Sequence, residues 1–377
     1  FMYAINSLGI VSYLRIFETL MVKNASRVEI ANELDLTKTT VGEITKNFID
    51  LGFVREKEKD HDRTKIGKPQ TLLEIVPDAF YVVGIGILRK QVEGCIVDAS
   101  GKILSKKSKR YVAFDHDSMM NSVFEVADKL IADNSYKINA IAFGAPGTLD
   151  SKNGIILKPA KFLEFENVPL AKIFSNKYKV NAWVENDADV AAIAEKYYGK
   201  GKDLNSFIYI HMEEGIGSGI ILNGGIHHGE YGYAGEMGHV LVKEKGQFEY
   251  LEDIYGADAI LDRVKGLGIS SFESLKKAEK DGDKKVIEFL KEVGEEVGAV
   301  IVSMIHLTGV STIFLGGKAT YLGNTFLNSV RNTIKKYLFY DHEVKVELSN
   351  LGDAFVVALG ASAHGRIKYL ENRIVKS

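Results

Sequence analysis

The sequence predicts an α/β protein with two lobes, preceded by an N-terminal winged helix-turn-helix. Short amphipathic helical segments come first, and a strand–loop–strand pattern follows them. After Pro77, strand-like runs alternate with helical stretches, and many of the 36 glycines stand at the junctions. We therefore assign residues 1–76 to the winged helix-turn-helix, residues 77–184 with 352–377 to the first lobe, and residues 185–351 to the second lobe.

The N-terminal domain is predicted from three helices with capping signals. Apolar residues recur three or four positions apart in the first helix, at Ile10, Leu14, Phe17, Leu20 and Met21. Ser26 and Glu29 have the spacing of a capping box, so a second helix is expected to begin there. Thr37 is placed to cap a third helix, which is expected to bury Val41, Ile44, Phe48 and Ile49.

The exposed side of the third helix and the loop after it predict a DNA-binding surface. The helix offers short polar and basic side chains suited to phosphates and base edges, namely Lys38, Thr39, Thr40, Glu43, Lys46 and Asn47. The loop adds Arg63, Lys65 and Lys68. Residues 1–76 hold 11 basic and 11 acidic side chains, so charge does not decide between DNA, a protein partner and a solvated face. The helix-and-wing pattern favours DNA.

Composition excludes several classes of protein. With 46% hydrophobic and 26% charged residues the chain is typical of a globular protein, and a net charge of −2 excludes a globally basic nucleic-acid coat. Cys95 is the single cysteine, which excludes an intrachain disulfide and a multi-cysteine metal site. The sequence contains no run of 18 apolar residues and no signal segment, so we expect a cytoplasmic protein without a membrane partner.

Polar residues near glycine-rich junctions predict a site for a polyhydroxylated ligand. Asn186 and Asp187 stand in ENDAD, and Glu236 and His239 stand in GYAGEMGHV. Carboxylates accept hydrogen bonds from sugar hydroxyls, whereas amides and imidazoles can donate or accept. Each residue also has an ordinary structural interpretation: Asp187 as a helix N-cap, His239 as a buried histidine and Glu236 as a surface residue.

The order of the motifs resembles the ROK family, whose name joins repressors, open reading frames and kinases. The winged helix is followed by IGKPQTLLEIVPDAFYVVGIGI, IAFGAPGTLDSKNGIIL, VENDADVAAIAEKYYG, EEGIGSGIILNGGIHHGEYGYAGEMGHV and IFLGG. The resemblance covers essentially the whole chain and implies an actin-like (ribonuclease H-like, sugar-kinase) fold with a cleft between the lobes. It implies sugar contacts from Asn186, Asp187, Glu236, His239 and Glu252 and, in a kinase, Asp187 as the catalytic general base.

The chain departs from the family's kinases at both phosphate loops. Where the kinases carry DIGGTK, residues 86–91 read GILRKQ, so Leu88 stands where backbone N–H groups must approach phosphate. Where they carry GTGIGGG, Glu213 and Glu214 come first and are expected to repel a polyphosphate. The other residues that match the nucleotide site, which is therefore degenerate, are Gly215, Gly217, Gly219, Gly316 and Gly317.

The resemblance also bears on metal and on sugar specificity. The family's structural zinc is held by the histidine that matches His239 and by three cysteines, and this chain has Tyr250 at the last cysteine position. One remaining ligand does not make a zinc site, so we expect no metal and no cofactor. Phe165 matches a tryptophan on the family's sugar side, and Lys161 or Phe162 matches an asparagine before it.

Two hypotheses follow from these residues. The first is a sugar-responsive transcriptional regulator, in the first place a repressor, that binds operator DNA as a homodimer or higher homo-oligomer. The second is an ATP-dependent kinase for glucose or N-acetylglucosamine, which would use Mg-ATP, with an appended DNA-binding domain. The loss of two independent phosphate loops favours the regulator.

Overall fold

The N-terminal domain is a winged helix-turn-helix. The structure, a computed structural model, describes residues 7–57, 71–158 and 165–376. It begins with the helices α1 (Ser7–Val22), α2 (Arg27–Leu34) and α3 (Lys38–Asp50). Strands β1 (Ala25–Ser26), β2 (Val54–Lys57) and β3 (Leu72–Ile75) form an antiparallel sheet in the order β1-β3-β2. Three helices with a trailing pair of strands confirm the predicted fold of this domain.

Hydrogen bonds at the helix ends explain where α2 and α3 begin. The Ser26 hydroxyl accepts a hydrogen bond from the Glu29 N–H, and the Glu29 carboxylate accepts one from the Ser26 N–H at 2.8 Å. The predicted capping box is therefore confirmed. Asp35 ends α2 in the left-handed conformation with φ of 52°, and Thr37 begins α3 by accepting a hydrogen bond from the Thr40 N–H.

The first lobe is built on a five-stranded sheet. The lobe contains the strands β4 (Tyr81–Ile87), β5 (Gln91–Asp98), β6 (Ile103–Arg110), β7 (Ile138–Ala145), β8 (Thr148–Asp150), β9 (Ile155–Lys158) and β10 (Asn181–Asn186). Its helices are α4 (His116–Ala132) and α5 (Leu170–Tyr178). The sheet order is β10-β7-β4-β5-β6, with β8 and β9 in a separate hairpin. β10 pairs with β7 as far as Asn186, two residues beyond the lobe boundary that the sequence predicts between residues 184 and 185.

The second lobe is built on another five-stranded sheet. The lobe comes after α6 (Asp187–Tyr198) in the chain. It contains the strands β11 (Phe207–Met212), β12 (Ile216–Leu222), β13 (Gly225–Ile226), β14 (Leu241–Glu244), β15 (Gln247–Tyr250), β16 (Thr312–Gly317) and β17 (Lys345–Leu348). The sheet order is β13-β12-β11-β16-β17, and β14 pairs with β15 alone. Its helices are α7 (Leu251–Tyr255), α8 (Ala257–Val264), α9 (Phe272–Lys280), α10 (Lys284–Thr308) and α11 (Gly323–Tyr337).

Two helices lie between the sheets and join the lobes to the N-terminal domain. The last helix, α12 (Val356–Lys376), packs on β4 and β7 and also on α6, while α6 packs on β12. The ring of Phe80 packs between Phe17 of α1 and Tyr369 of α12, with centroid distances of 6.4 and 4.9 Å. The core of the winged helix is therefore continuous with that of the first lobe. Every helix in the described part of the chain is too short or too polar to span a lipid bilayer.

Candidate functional site

A cleft between the lobes gathers the candidate sugar residues. It encloses about 570 Å³, which is the size of a small-molecule site. One end is lined by the five residues that the resemblance implies as sugar contacts, namely Asn186, Asp187, Glu236, His239 and Glu252. The other end is lined by residues at the phosphate-loop positions, including Leu88, Arg89, Lys90, Glu213 and Glu214. The fold therefore places both predicted regions in one cavity, side by side.

Asn186 and Asp187 lie where β10 ends and α6 begins. The Asn186 Oδ1 atom accepts hydrogen bonds from the N–H groups of Ala188 and Asp189 at 2.9 and 3.3 Å. Asn186 is therefore the N-cap of α6, and the interpretation of Asp187 as the cap is wrong. Burial in the cleft wall raises the pKa of Asp187 to about 6, with the negative charge of Glu236 as a further cause.

Glu236, His239 and Glu252 form the opposite wall. The Nδ1 atom of His239 lies 2.9 Å from Oε2 of Glu236, and its Nε2 atom lies 4.0 Å from Oε1 of Glu252. The side chain of His239 is 44% exposed, so its interpretation as a buried histidine is wrong. Glu252 is mostly buried and accepts a hydrogen bond from the Ile216 N–H at 3.3 Å. Two carboxylates and an imidazole thus face the cleft near Asp187.

The segment that matches the family's zinc loop forms the β14–β15 hairpin. Tyr250, which stands at the last cysteine position, places its ring edge-on to the imidazole of His239, with centroids 5.1 Å apart. The two positions are therefore adjacent in space, as the resemblance implies, but they present an aromatic ring and an imidazole. Phe165 is 1% exposed in the core of the first lobe. The predicted matches at Lys161 and Phe162 lie outside the described residues.

At the phosphate-loop end of the cleft, side chains stand where the family's kinases carry glycine. A Cβ atom at Gly86 would lie 3.0 Å from the Cβ atom of Val357, so a larger residue at this position would require α12 to shift slightly. Leu88 packs against a small apolar cluster that includes Val190 and Val357. Arg89 pairs with Asp258 of α8 at 2.7 Å, which joins the two lobes across the cleft.

The charges at this end correct the expectation of two carboxylates facing a polyphosphate. Glu214 is paired with Lys90 at 3.2 Å, and Lys90 also reaches Asp258 at 3.2 Å. Burial raises the pKa of Glu213 to about 8, although the nearby Lys318 acts in the opposite direction. Glu213 is therefore mostly neutral at pH 7, and Glu214 already has a cationic partner. Repulsion of phosphate by these two carboxylates is weaker than the sequence indicated.

The glycines at the matching nucleotide positions lie at close contacts between elements. A Cβ atom at Gly219 of β12 would lie 2.5 Å from the Cβ atom of Ala192 in α6, and Gly217 meets Ala188 in the same way. Gly317 has φ of 62°, which favours glycine. Gly215 and Gly316 lie against Glu252 and Tyr209 respectively. Packing and, at Gly317, backbone conformation account for glycine at these positions.

The predicted DNA-binding residues of α3 are largely on its outer side. Lys38, Thr39, Glu43, Lys46 and Asn47 are exposed, and Thr40 is half-buried. Thr40 shares a hydrogen bond with Thr37, and the Asn47 amide donates to the Tyr13 hydroxyl of α1. Arg63, Lys65 and Lys68 of the wing lie outside the described residues.

Residues that sequence reasoning missed are those whose partners are distant in the chain. Asp258 pairs with Arg89 and Lys90 across the cleft, and Lys318 lines the cleft near Glu213. His211 is 4% exposed in the cleft floor, and neither ring nitrogen has a hydrogen-bond partner among the described residues. Burial lowers the pKa of His211 to about 4, so it is neutral. No local sequence signal marks these three residues.

The cleft, the winged helix and the motif order agree with a comparison against protein families. A model described as the ROK family matches residues 82–364. The chain belongs to the ROK family.

Its ROK relatives include repressors of similar length. The xylose repressor of Caldicellulosiruptor bescii is 26% identical over 362 residues, which cover 89% of this chain and 90% of that protein. The Escherichia coli K12 protein named DNA-binding transcriptional dual regulator NagC is 26% identical over 329 residues, which cover 82% of this chain and 80% of that protein.

Solved ROK structures show the same fold. A ROK family transcriptional regulator, described as a homologue of the E. coli MLC protein, superposes with a TM-score of 0.81 at 21% identity and covers 98% of each chain. A ROK family glucokinase from Streptomyces griseus, in complex with glucose and AMPPNP, superposes with a TM-score of 0.67 at 22% identity and covers 76% of this chain and 99% of that chain. The predicted two-lobed, actin-like class is confirmed.

Proposed function

We propose that this protein is a sugar-responsive transcriptional regulator, which binds operator DNA through its winged helix and a sugar in the cleft. One observation carries the proposal: the polar end of the cleft keeps the residue types that bind sugars, while at the phosphate end Leu88 packs against an apolar cluster and Arg89 pairs across the lobes. The polar end offers carboxylates, an amide and an imidazole, a set suited to sugar hydroxyls.

Two effects oppose a triphosphate, and the steric one is larger. The pairs of Arg89 and Lys90 with Asp258 and Glu214 are partly exposed, and such pairs contribute only about 0–1 kcal/mol each. A nucleotide could therefore displace them at small cost. Leu88 instead packs against α6 and α12 and occupies the position where backbone N–H groups would approach phosphate oxygens. Moving it would leave an apolar cavity behind.

The DNA-binding half of the proposal is supported by α3 and by the relatives. The exposed face of α3 carries Lys38 and Lys46 with short polar side chains between them. The relatives are named as a xylose repressor and as a DNA-binding regulator. A single winged helix reads one half-site, so we infer that the active form is a homodimer or a higher homo-oligomer.

Helix α6 connects the two functions. It begins in the cleft at Asp187 and ends beside α1 of the winged helix-turn-helix. There the Tyr197 hydroxyl donates to Oε1 of Glu18 at 2.7 Å, and Lys196 lies 3.9 Å from the other oxygen. A sugar that shifts the start of α6 would therefore act directly on the position of α1. Such a shift changes the separation of recognition helices in a dimer, which operator spacing constrains.

The test is operator binding with and without sugars. Fluorescence anisotropy of a labelled fragment from the upstream region of the gene would be measured with D-xylose, D-glucose and N-acetylglucosamine. We expect DNA binding at low salt and a change of about 5–150-fold in the DNA Kd with one class of sugar. Absence of DNA binding at low salt, or no response to any sugar, would contradict the proposal.

The kinase alternative is favoured by one observation, the raised pKa of Asp187, because a general base works best when its pKa lies near the working pH. A coupled ADP-release assay with the same sugars and Mg-ATP separates the two functions. The regulator proposal expects no ADP above background. Turnover that disappears in Asp187→Asn would establish the kinase instead.

A further inference from the structure

A second polar cluster adjoins the cleft, which one of its residues, Asp189, also lines, and no function discussed above uses it. Glu185 is the penultimate residue of β10, Asp189 lies in the first turn of α6, and His228 follows β13. One oxygen of each carboxylate and one nitrogen of the imidazole lie within 4.8 Å of one another. Glu185 and Asp189 are 4% and 5% exposed, whereas the His228 side chain is 46% exposed. The two carboxylates thus lie in the interior, and the imidazole lies at the surface.

The carboxylates are held with one oxygen each toward His228. The Glu185 Oε1 atom accepts hydrogen bonds from the Ser151 hydroxyl at 3.2 Å and from the Asn186 N–H at 2.9 Å. Its Oε2 atom lies 3.8 Å from Nε2 of His228, and Oδ2 of Asp189 lies 3.3 Å from Nδ1. Outer hydrogen bonds of this kind orient the ligands of metal sites.

The charges in the cluster do not balance. Glu185 and Asp189 are two buried carboxylates, and a protonated His228 would cancel only one of them. Lys368 lies on α12 nearby, but its ammonium group is paired with Glu371 at 3.1 Å. Buried carboxylates without a matching positive charge are costly in a low-dielectric interior. A divalent cation would neutralise both.

We propose that Glu185, Asp189 and His228 bind a divalent first-row transition metal of the Zn²⁺ class. Carboxylate oxygens and imidazole nitrogen are ordinary ligands of such ions. With metal–ligand distances of about 2.0–2.2 Å and tetrahedral angles, two ligands lie about 3.3–3.6 Å apart, so ligand atoms that are up to 4.8 Å apart would have to approach by about 1 Å. Three protein ligands leave a position open to water or to a small ligand on the solvent side.

This proposed site is separate from the segment in which the family's zinc-binding cysteines are missing. The expectation of no metal rested on the segment from His239 to Tyr250, and none of the three proposed ligands lies in it. The ligands come from β10, from α6 and from the loop that leads to Glu236. The metal would therefore tie the start of α6 to the second lobe at the edge of the cleft.

The test uses the full chain without an affinity tag, stripped of metal by a chelator. Zn²⁺ would be titrated by calorimetry and in competition with a chromophoric chelator, and Co²⁺ would be added to record its visible absorption. The matched variants are His228→Ala and His227→Ala, since His227 is the exposed neighbouring histidine outside the cluster. His239→Ala tests whether Zn²⁺ binds instead in the segment from His239 to Tyr250, which lacks the family's cysteines.

We expect one Zn²⁺ per chain, and a Kd at least about tenfold weaker in His228→Ala, because loss of even an outer partner of a metal ligand costs roughly 10–100-fold. His227→Ala and His239→Ala should bind as the unaltered chain does. His228 is half-exposed, so its replacement should leave the fold and its circular dichroism unchanged. Failure of the unaltered chain to bind Zn²⁺ would show that the cluster is an ion pair only. Binding that survives His228→Ala would likewise overturn the proposal.

Discussion

The hydrogen bond between Tyr197 and Glu18 should carry much of the coupling between the cleft and the winged helix. Its O–H···O distance is 2.7 Å, Tyr197 is 6% exposed, and it is the C-terminal contact of α6 with α1. Hydrogen bonds to charged groups contribute about 1.5–3 kcal/mol. A ligand can shift an equilibrium only by the free-energy difference that it creates between the two states. If this bond differs between them, its lower limit already corresponds to about a tenfold change in affinity.

The perturbation is Tyr197→Phe, which removes the hydroxyl and keeps the ring. We expect the sugar-induced change in operator Kd to shrink by about tenfold, while the Kd for sugar, measured by calorimetry, changes little. The matched control is Tyr178→Phe, because the Tyr178 hydroxyl donates to Asp128 at 2.7 Å within the first lobe, away from α1. The reasoning is refuted if Tyr197→Phe retains the full sugar response, or if Tyr178→Phe loses as much of it.

Three further predictions concern the cap of α6, the DNA face and the charged end of the cleft. Asn186→Ala should lower the free energy of unfolding, measured by urea titration, by about 1 kcal/mol. Asn186→Ser should not lower it, because serine also caps helices. Equal stabilities of the two variants would contradict the capping role of Asn186. In Lys46→Ala, the slope of the logarithm of the DNA association constant against the logarithm of the salt concentration should become less steep by about 0.9. An unchanged slope would show that Lys46 does not contact a phosphate. Folding raises the pKa of Glu213 from 4.5 to about 8, so the stability it contributes is complete below pH 4.5 and is lost as the pH rises to 8. Glu213→Gln should flatten this part of the pH profile of Tm, and an identical profile would show that Glu213 does not titrate there.

Features that depend on neighbouring residues could be predicted from the sequence. The capping box at Ser26 and the cap at Thr37 are signals that span four residues, and both are present as expected. The apolar residues of α10, which recur three or four positions apart, are a signal of the same local kind. The assignment of the cap at α6 failed because Asn186 and Asp187 are adjacent and both are good cap residues. Only the backbone conformation decides between them.

Features that depend on distant residues could not be predicted in the same way. Arg89 and Asp258 are 169 positions apart, and Tyr197 and Glu18 are 179 positions apart. Neither pair has a periodicity or a spacing that a sequence pattern could reveal. The protonation of Glu213 likewise depends on burial, which the turn between β11 and β12 creates only in the folded chain. The sequence indicated the types of residue at the cleft but not their pairing.

Glycine patterns alone do not distinguish a nucleotide site from a sugar-only cleft in this fold. Gly217 and Gly219 are required because α6 lies directly on β12, with Ala188 and Ala192 at the contact. A kinase and a regulator with the same helix position would both need these glycines, whatever lies in the cleft. Position 88 discriminates better, because the family's kinases carry glycine there and this chain carries a leucine whose side chain packs against Val190 and Val357. The functional inference therefore depends on positions 88–90 and on their partners across the cleft, rather than on the glycine runs.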